Sequence, residues 1–193
     1  MATTQQSRVP RLENWKPAVT VHGVFSAEEC ERIITLASDP KPGRLLGEDQ
    51  GQRYRNCDVS WLEMEPEEHR WIYQRALDVA RQANESLFQL DILGFTERFQ
   101  IITYKPGDHI DWHIDIGPRG QSLRKISMVI QLSDPATYVG GDFEFFAFYE
   151  AERMPRERGS VLVFPSYLLH RVTEVTAGER KSVVCWVGGP HYR

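Results

Sequence analysis

From Phe99 onward the chain breaks into short β-type segments separated by turn residues, and this pattern restricts the possible folds more than any other. Candidate strands are Glu97–Tyr104, Trp112–Ile116, Lys125–Leu132, Asp142–Phe148, Ser160–Phe164, Leu169–Val172 and Lys181–Val187. Lys105-Pro106-Gly107-Asp108 and Gly140-Gly141 are clear breaks. Many short strands with such punctuation predict a β-sandwich or barrel.

The first half reads differently. Val19–Phe25 and Asn56–Leu62 are expected strands. Ser26-Ala27-Glu28-Glu29 has the capping-box pattern of a helix start, and Cys30, Ile33, Ile34 and Ala37 then fall on one helical face. A second helix follows Pro66, with Ile72, Ala76, Val79, Ala80, Ala83 and Leu87 as its apolar face. Two helices followed by many strands predict an α+β domain whose helices support one sheet. Residues 18–193 are expected to form a single domain, and polar residues 1–17 a flexible arm. The Gly- and charge-rich stretch 41–55 is expected to be a lid.

Composition excludes a few functions. A formal net charge of −4 argues against a broad nucleic-acid footprint. Cys30, Cys57 and Cys185 form no CxxC pair, and they read as free thiols in a reducing cytoplasm. There is no basic start followed by an apolar stretch, and no apolar run approaches the roughly 18 residues of a membrane span. A cytoplasmic protein without a membrane partner is therefore expected.

The chemistry concentrates in Tyr104-Lys-Pro-Gly-Asp-His-Ile-Asp-Trp-His-Ile-Asp115. His109, Asp111, His113 and Asp115 lie in its last seven residues. Residues i and i+2 of a strand share a face, so His113 and Asp115 can reach one metal. His109 and Asp111 are assigned to the loop before that strand, with Asp111 a candidate for the substrate mouth. A third ligand must come from elsewhere, and His170 follows the β-type run Val161-Leu162-Val163-Phe164. Two histidines and one carboxylate on one side of an ion leave three positions open, an arrangement that selects Fe(II). Arg180, ten residues after His170, offers a fork of donors to a carboxylate. Neighbouring strand residues face opposite ways, so only one of Arg180 and Lys181 can enter a barrel; Lys181 is the fallback.

These residues together resemble the 2-oxoglutarate/Fe(II) oxygenases, and in particular their prolyl 4-hydroxylase-like branch. Tyr104, Leu132-Ser133-Asp134-Pro135, Tyr138-Val139-Gly140-Gly141-Asp142 and Gly159-Ser-Val-Leu-Val-Phe-Pro165 extend the likeness, which covers roughly residues 97–190. It implies a double-stranded β-helix, a jelly-roll or cupin-like core with supporting N-terminal helices. It also implies Fe(II) on His113, Asp115 and His170, and 2-oxoglutarate on Arg180, with O₂ as oxidant and ascorbate as a stimulant. Tyr104 would face the cosubstrate, and one of Ser127 and Gln131, which share a strand face, would hydrogen-bond it. Arg55, Trp61 and Asp111 are candidates for substrate contact. The implied reaction hydroxylates a C–H bond, with release of succinate and CO₂. An amino acid, a peptidyl residue of prolyl type or a small molecule would be the substrate. Two rivals stay within the superfamily, a secondary-metabolite oxygenase and a nucleic-acid-acting one. A third is a metal-binding β-barrel module without redox chemistry, which would have no need of Arg180. The oligomeric state is left open.

Overall fold

The structure is a computed structural model, and it describes residues 17–43, 54–147 and 150–192. Helix α1 spans Ala27–Thr35 and α2 spans Arg70–Ala83. The first strands are β1 (Val19–Val21), β2 (Lys41–Pro42), β3 (Arg55–Asn56), β4 (Asp58–Leu62), β5 (Gly94–Phe95) and β6 (Phe99–Tyr104). They are followed by β7 (His109–His113), β8 (Arg124–Gln131), β9 (Tyr138–Gly140), β10 (Phe143–Ala147) and β11 (Glu150–Arg153). The last are β12 (Val161–Pro165), β13 (His170–Val172), β14 (Val175–Gly178) and β15 (Arg180–Gly188).

The capping box forms as the sequence predicts. Glu29 N donates to Ser26 Oγ at 3.2 Å, and Ser26 N donates to Glu29 Oε2 at 2.9 Å. The second helix departs from expectation at its end. After Ala83 the backbone widens into a π-type turn, Asn84–Phe88, closed by the bond from Gln89 N to Asn84 O. The extra residue rotates Leu87 off the apolar face, and it is exposed. The first strand is also shorter than predicted: it ends at Val21, before the turn at Gly23.

Two sheets face each other. The larger runs β1-β12-β8-β15-β6-β4-β2, with β5 also paired to β15; the smaller runs β11-β10-β13-β7-β3; β14 and β9 form a separate pair. The fold is a double-stranded β-helix backed by helices, of α+β class. Within the larger sheet β8 and β12 are buried at every residue, and Val161–Phe164 of β12 accordingly reads as a continuous apolar run. Ile126, Met128, Ile130, Val161, Val163, Val183 and Cys185 point to the helices and join Ile33, Ile72 and Ala76 in one core. Val129, Leu162 and Phe164 point the other way and pack with Ile102, Phe143 and Val172 inside the barrel. Alternation along each strand thus separates a supporting face from a working face.

One strand is displaced from its predicted place. β7 runs from His109 to His113, not from Trp112 to Ile116. Its start is set by pairing with β3, in which Arg55 opposes Ile110 and Asn56 opposes His109. His109 and Asp111 are therefore on the strand, not in a preceding loop, and Asp115 lies beyond its end. The lid expected at 41–55 has its ends in β2 and β3. Residues 44–53, including Arg53, and residues 1–16 of the predicted arm lie outside the described residues.

Candidate active site

His113 reaches the barrel interior through an irregularity. Opposite β13, His113 pairs with His170, but Ile110 pairs with Val172. Three steps along β7 match two along β13, so β7 carries a bulge. The extra residue lets Ile110 and His113, of opposite parity, line the same cavity.

The ligand atoms of His113, Asp115 and His170 lie within 4.8 Å of one another. His113 Nε2 is 3.9 Å from Asp115 Oδ1, and His170 Nε2 is 3.6 Å from Asp115 Oδ2. Each imidazole is fixed by its other nitrogen: His113 Nδ1 bonds to Asp111 O at 2.8 Å, and His170 Nδ1 to Leu168 O at 2.7 Å. A carbonyl accepts only, so both Nδ1 atoms donate, and both Nε2 atoms face the gap. The ring of Phe143 stacks on His170 at 5.3 Å, with Phe164 edge-on at 4.9 Å. Burial, and next the neighbouring His170, push His113 down to about 4. Burial opposes ionisation of Asp115, but the two imidazoles and the Ser127 hydroxyl outweigh it and hold the carboxyl below its usual range. A neutral imidazole at His113 beside the Asp115 carboxylate suits metal binding, which needs deprotonated ligands. Two nitrogens and one oxygen on one side of the gap fit Fe(II).

Because Asp115 is past the strand, the predicted i, i+2 strand argument does not hold its side chain. Tertiary bonds do so instead. Asp115 N donates to Ser166 O at 3.0 Å, and Ser127 Oγ donates to Asp115 Oδ2 at 2.6 Å.

Arg180 opens β15 and is 1% exposed. Its Nη2 donates to Gln131 Oε1 at 3.0 Å and its Nη1 to Ser182 Oγ at 3.2 Å. Among the described residues no carboxylate pairs with it. A guanidinium this deep without a counter-charge fits an anionic ligand. Lys181 faces outward and pairs with Glu179 at 2.6 Å. Tyr104 sits opposite Arg180 in the ladder, 5.4 Å from guanidinium carbon to ring centroid. Burial raises its pKa, so its hydroxyl stays protonated. Gly141 makes room for this corner: at φ 63° a Cβ there would lie 2.8 Å from Val175 Cγ2 and 3.0 Å from Arg180 Cδ.

A cavity of about 380 Å³ joins Arg180, Tyr104 and the His113–Asp115–His170 cluster. Arg55 and Trp61 also line it. Asp111 does not. Its side chain is exposed and accepts from Trp112 N at 2.7 Å, while its carbonyl holds His113. Ser127 and Gln131 do face inward, yet neither lines the cavity. Ser127 bonds to Asp115 and Gln131 to Arg180, so each supports a residue that lines the cavity. Trp186, Ser182, Gln100, Glu97 and Arg124 also line the cavity and were not singled out from the sequence. Ser182 and Trp186 share the parity of Arg180, a signal that would have found them. The pairing of Glu97 with Arg124 has no local signal.

The profile of the 2OG-Fe(II) oxygenase superfamily matches residues 99–188. This segment, a little under half of the chain, is what resembles that superfamily. Fe(II) and 2-oxoglutarate are the cofactors of this 2OG-Fe(II) oxygenase family, and the donor set and deep guanidinium fit them. A PKHD-type hydroxylase of Teredinibacter turnerae is 40% identical over 82 residues, 42% of this chain and 36% of that protein. One from Hyphomonas neptunium is 39% identical over 85 residues, 42% of this chain and 38% of that protein. The match thus spans little more than a third of these relatives. Among solved structures, a Pseudomonas putida prolyl-4-hydroxylase superposes with a TM-score of 0.69 at 22% identity, over 90% of this chain and 93% of that one. A prolyl hydroxylase of Trichoplax adhaerens, in complex with a hypoxia inducible factor peptide fragment, gives 0.70 at 14% identity, over 90% and 84%.

Proposed function

We propose that this chain is a 2-oxoglutarate-dependent Fe(II) hydroxylase acting on an amino-acid or peptidyl residue of prolyl type. The observation that carries the reading is a buried Arg180 without a carboxylate partner, at the foot of the cavity that holds a two-histidine, one-carboxylate cluster. The names of the PKHD-type and prolyl hydroxylase relatives support the substrate class. When bound, Fe(II) with O₂ supplies oxidative decarboxylation of 2-oxoglutarate to succinate and CO₂, coupled to hydroxylation of a C–H bond.

In this reading His113, Asp115 and His170 hold the metal, and their bonded Nδ1 atoms and Ser127 keep them aimed before it arrives. Arg180 and Tyr104 hold the far carboxylate of the cosubstrate. Phe143, Phe164 and Val129 line the space between and exclude water. Arg55 and Trp61 receive the substrate. The test is release of succinate from 2-oxoglutarate with Fe(II) and ascorbate, followed by a mass-spectrometric screen for +16 products over proline-containing peptides and free amino acids. Absence of any succinate would overturn the oxygenase reading; hydroxylation confined to another substrate class would overturn the prolyl one.

Arg55 gives a separate prediction. Its Nε donates to Cys57 Sγ at 3.1 Å, which leaves its two Nη groups for the cavity. Arg55→Ala is expected to lower substrate hydroxylation by about tenfold or more, the loss of one charged hydrogen bond of about 1.5–3 kcal/mol. Substrate-free succinate release should persist, since the metal ligands and Arg180 are untouched. An unchanged hydroxylation rate would remove Arg55 from the substrate site.

A further inference from the structure

Asp115 lies past the end of β7, so no ladder fixes its backbone. Its N–H is held by Ser166. Its carbonyl is held by Arg124, whose Nη1 donates to Asp115 O at 3.2 Å. Arg124 is the first residue of β8 and only 6% exposed. Its Nε and Nη2 donate to the two carboxylate oxygens of Glu97 at 2.7 and 2.6 Å. The guanidinium lies 3.6 Å from the ring centroid of Trp186. Glu97 precedes β6, Trp186 belongs to β15, and β15 runs between β6 and β8. The ion pair therefore crosses over the indole and braces three adjacent strands beside Asp115. A planar fork is suited to this: two donors grip the carboxylate while a third is left at a fixed angle for the carbonyl.

We propose that Arg124 is a positioning residue for the metal site, setting through the Asp115 carbonyl the direction from which the Asp115 carboxylate meets the ion, with Glu97 and Trp186 holding Arg124 in place. Arg124 does for Asp115 what a strand partner does for a ladder residue. Ser127 Oγ aims the carboxylate itself, so the carbonyl and the side chain of the same ligand are held from one strand, β8. The inference rests on the metal-site reading above.

A built-in comparison separates positioning from packing. Arg75 makes the same kinds of contact: Nη1 to Glu29 Oε2 at 2.6 Å and to Val24 O at 3.1 Å, with its guanidinium 5.2 Å from the Trp71 ring. It supports α1 and α2 and does not line the cavity. The experiment is Mn(II) titration of the metal-free full chain, read by electron paramagnetic resonance, with a thermal melt of each variant. Arg124→Lys keeps the charge but loses the fork, and it is expected to raise the Mn(II) Kd about tenfold or more, the range seen when partners of a metal ligand are removed. Glu97→Gln should raise it by a smaller factor, and it decides the matter should Arg124→Lys fail to fold. Arg75→Lys should lower the Tm and leave the Kd alone. Wild-type Mn(II) affinity in both cavity variants, with only a lowered Tm, would reduce Arg124 to a packing residue. Failure of the wild-type chain to bind Mn(II) would overturn the metal-site reading and this inference with it.

Discussion

Alanine at His113, Asp115 or His170 is expected to abolish succinate formation while the fold is retained. The three ligand atoms converge on one gap within 4.8 Å, and no fourth His, Cys, Asp or Glu joins them among the described residues. Two ligands on a flat arc bind a divalent ion far more weakly than three on one side. Removing a mere supporting partner of a ligand costs on the order of 10–100-fold in metal affinity, and removing the ligand itself should cost more. Folding should survive, because β7 and β13, which carry His113 and His170, are held by ladders and by the aromatic packing of Phe143, Phe145 and Phe164, and Asp115 directly follows β7. Circular dichroism checks the fold, and Mn(II) titration beside succinate assay checks the site. Near-normal succinate release in two of the three variants would show that the ion sits elsewhere.

The second large effect belongs to Arg180. Arg180→Ala should raise the KM for 2-oxoglutarate by roughly 30-fold or more, since truncating one partner of a buried charge pair costs about 2–5 kcal/mol. Metal affinity should change little, because Arg180 touches Gln131 and Ser182 and none of the three ligands. Arg180→Lys keeps the charge but loses the paired donors, and an intermediate KM is expected. Lys181→Ala removes an outward pair with Glu179, of a kind that contributes about 0–1 kcal/mol, and should leave the KM near wild type. The opposite ordering of Arg180 and Lys181 would mean that the anchor is Lys181 and that the barrel face of β15 is the other one.

Much of this was readable in the sequence because it depends on strand alternation. Alternation allows only one of Arg180 and Lys181 to point inward, the family spacing favours Arg180, and the structure puts Arg180 in the cavity. The α+β class and both helices follow from periodicity and a capping box. What could not be read depends on register between distant segments. The start of β7 is set by β3, some fifty residues away, so His109 and Asp111 were misplaced into a loop. The bulge that turns His113 inward exists only as a mismatch between β7 and β13. Ser127 and Gln131 were rightly placed on one face of β8, but their partners, Asp115 and Arg180, come from other strands and loops, and no local pattern names them. The π-type turn after α2 likewise has no signature in the apolar spacing that placed Leu87 on the helix face.

Two of the inward residues of β8, Ser127 and Gln131, have a metric consequence. Ser127 fixes the carboxylate at the metal end and Gln131 the guanidinium at the far end, and the backbone between them is continuous strand, buried at every residue. Four residues of such strand span roughly 13 Å and do not stretch. The interval between the two grips is thus set by a rigid bar with no loop in it, and β8 serves as a gauge for molecular length. In the roles proposed for the two ends, a 2-oxo diacid one methylene shorter or longer, oxaloacetate or 2-oxoadipate, carries the same charges but overshoots or falls short at one grip. A misplacement of about 1 Å at a reacting centre costs on the order of a hundredfold in rate, so this barrel should discriminate among diacids by length where it has no means of discriminating by charge.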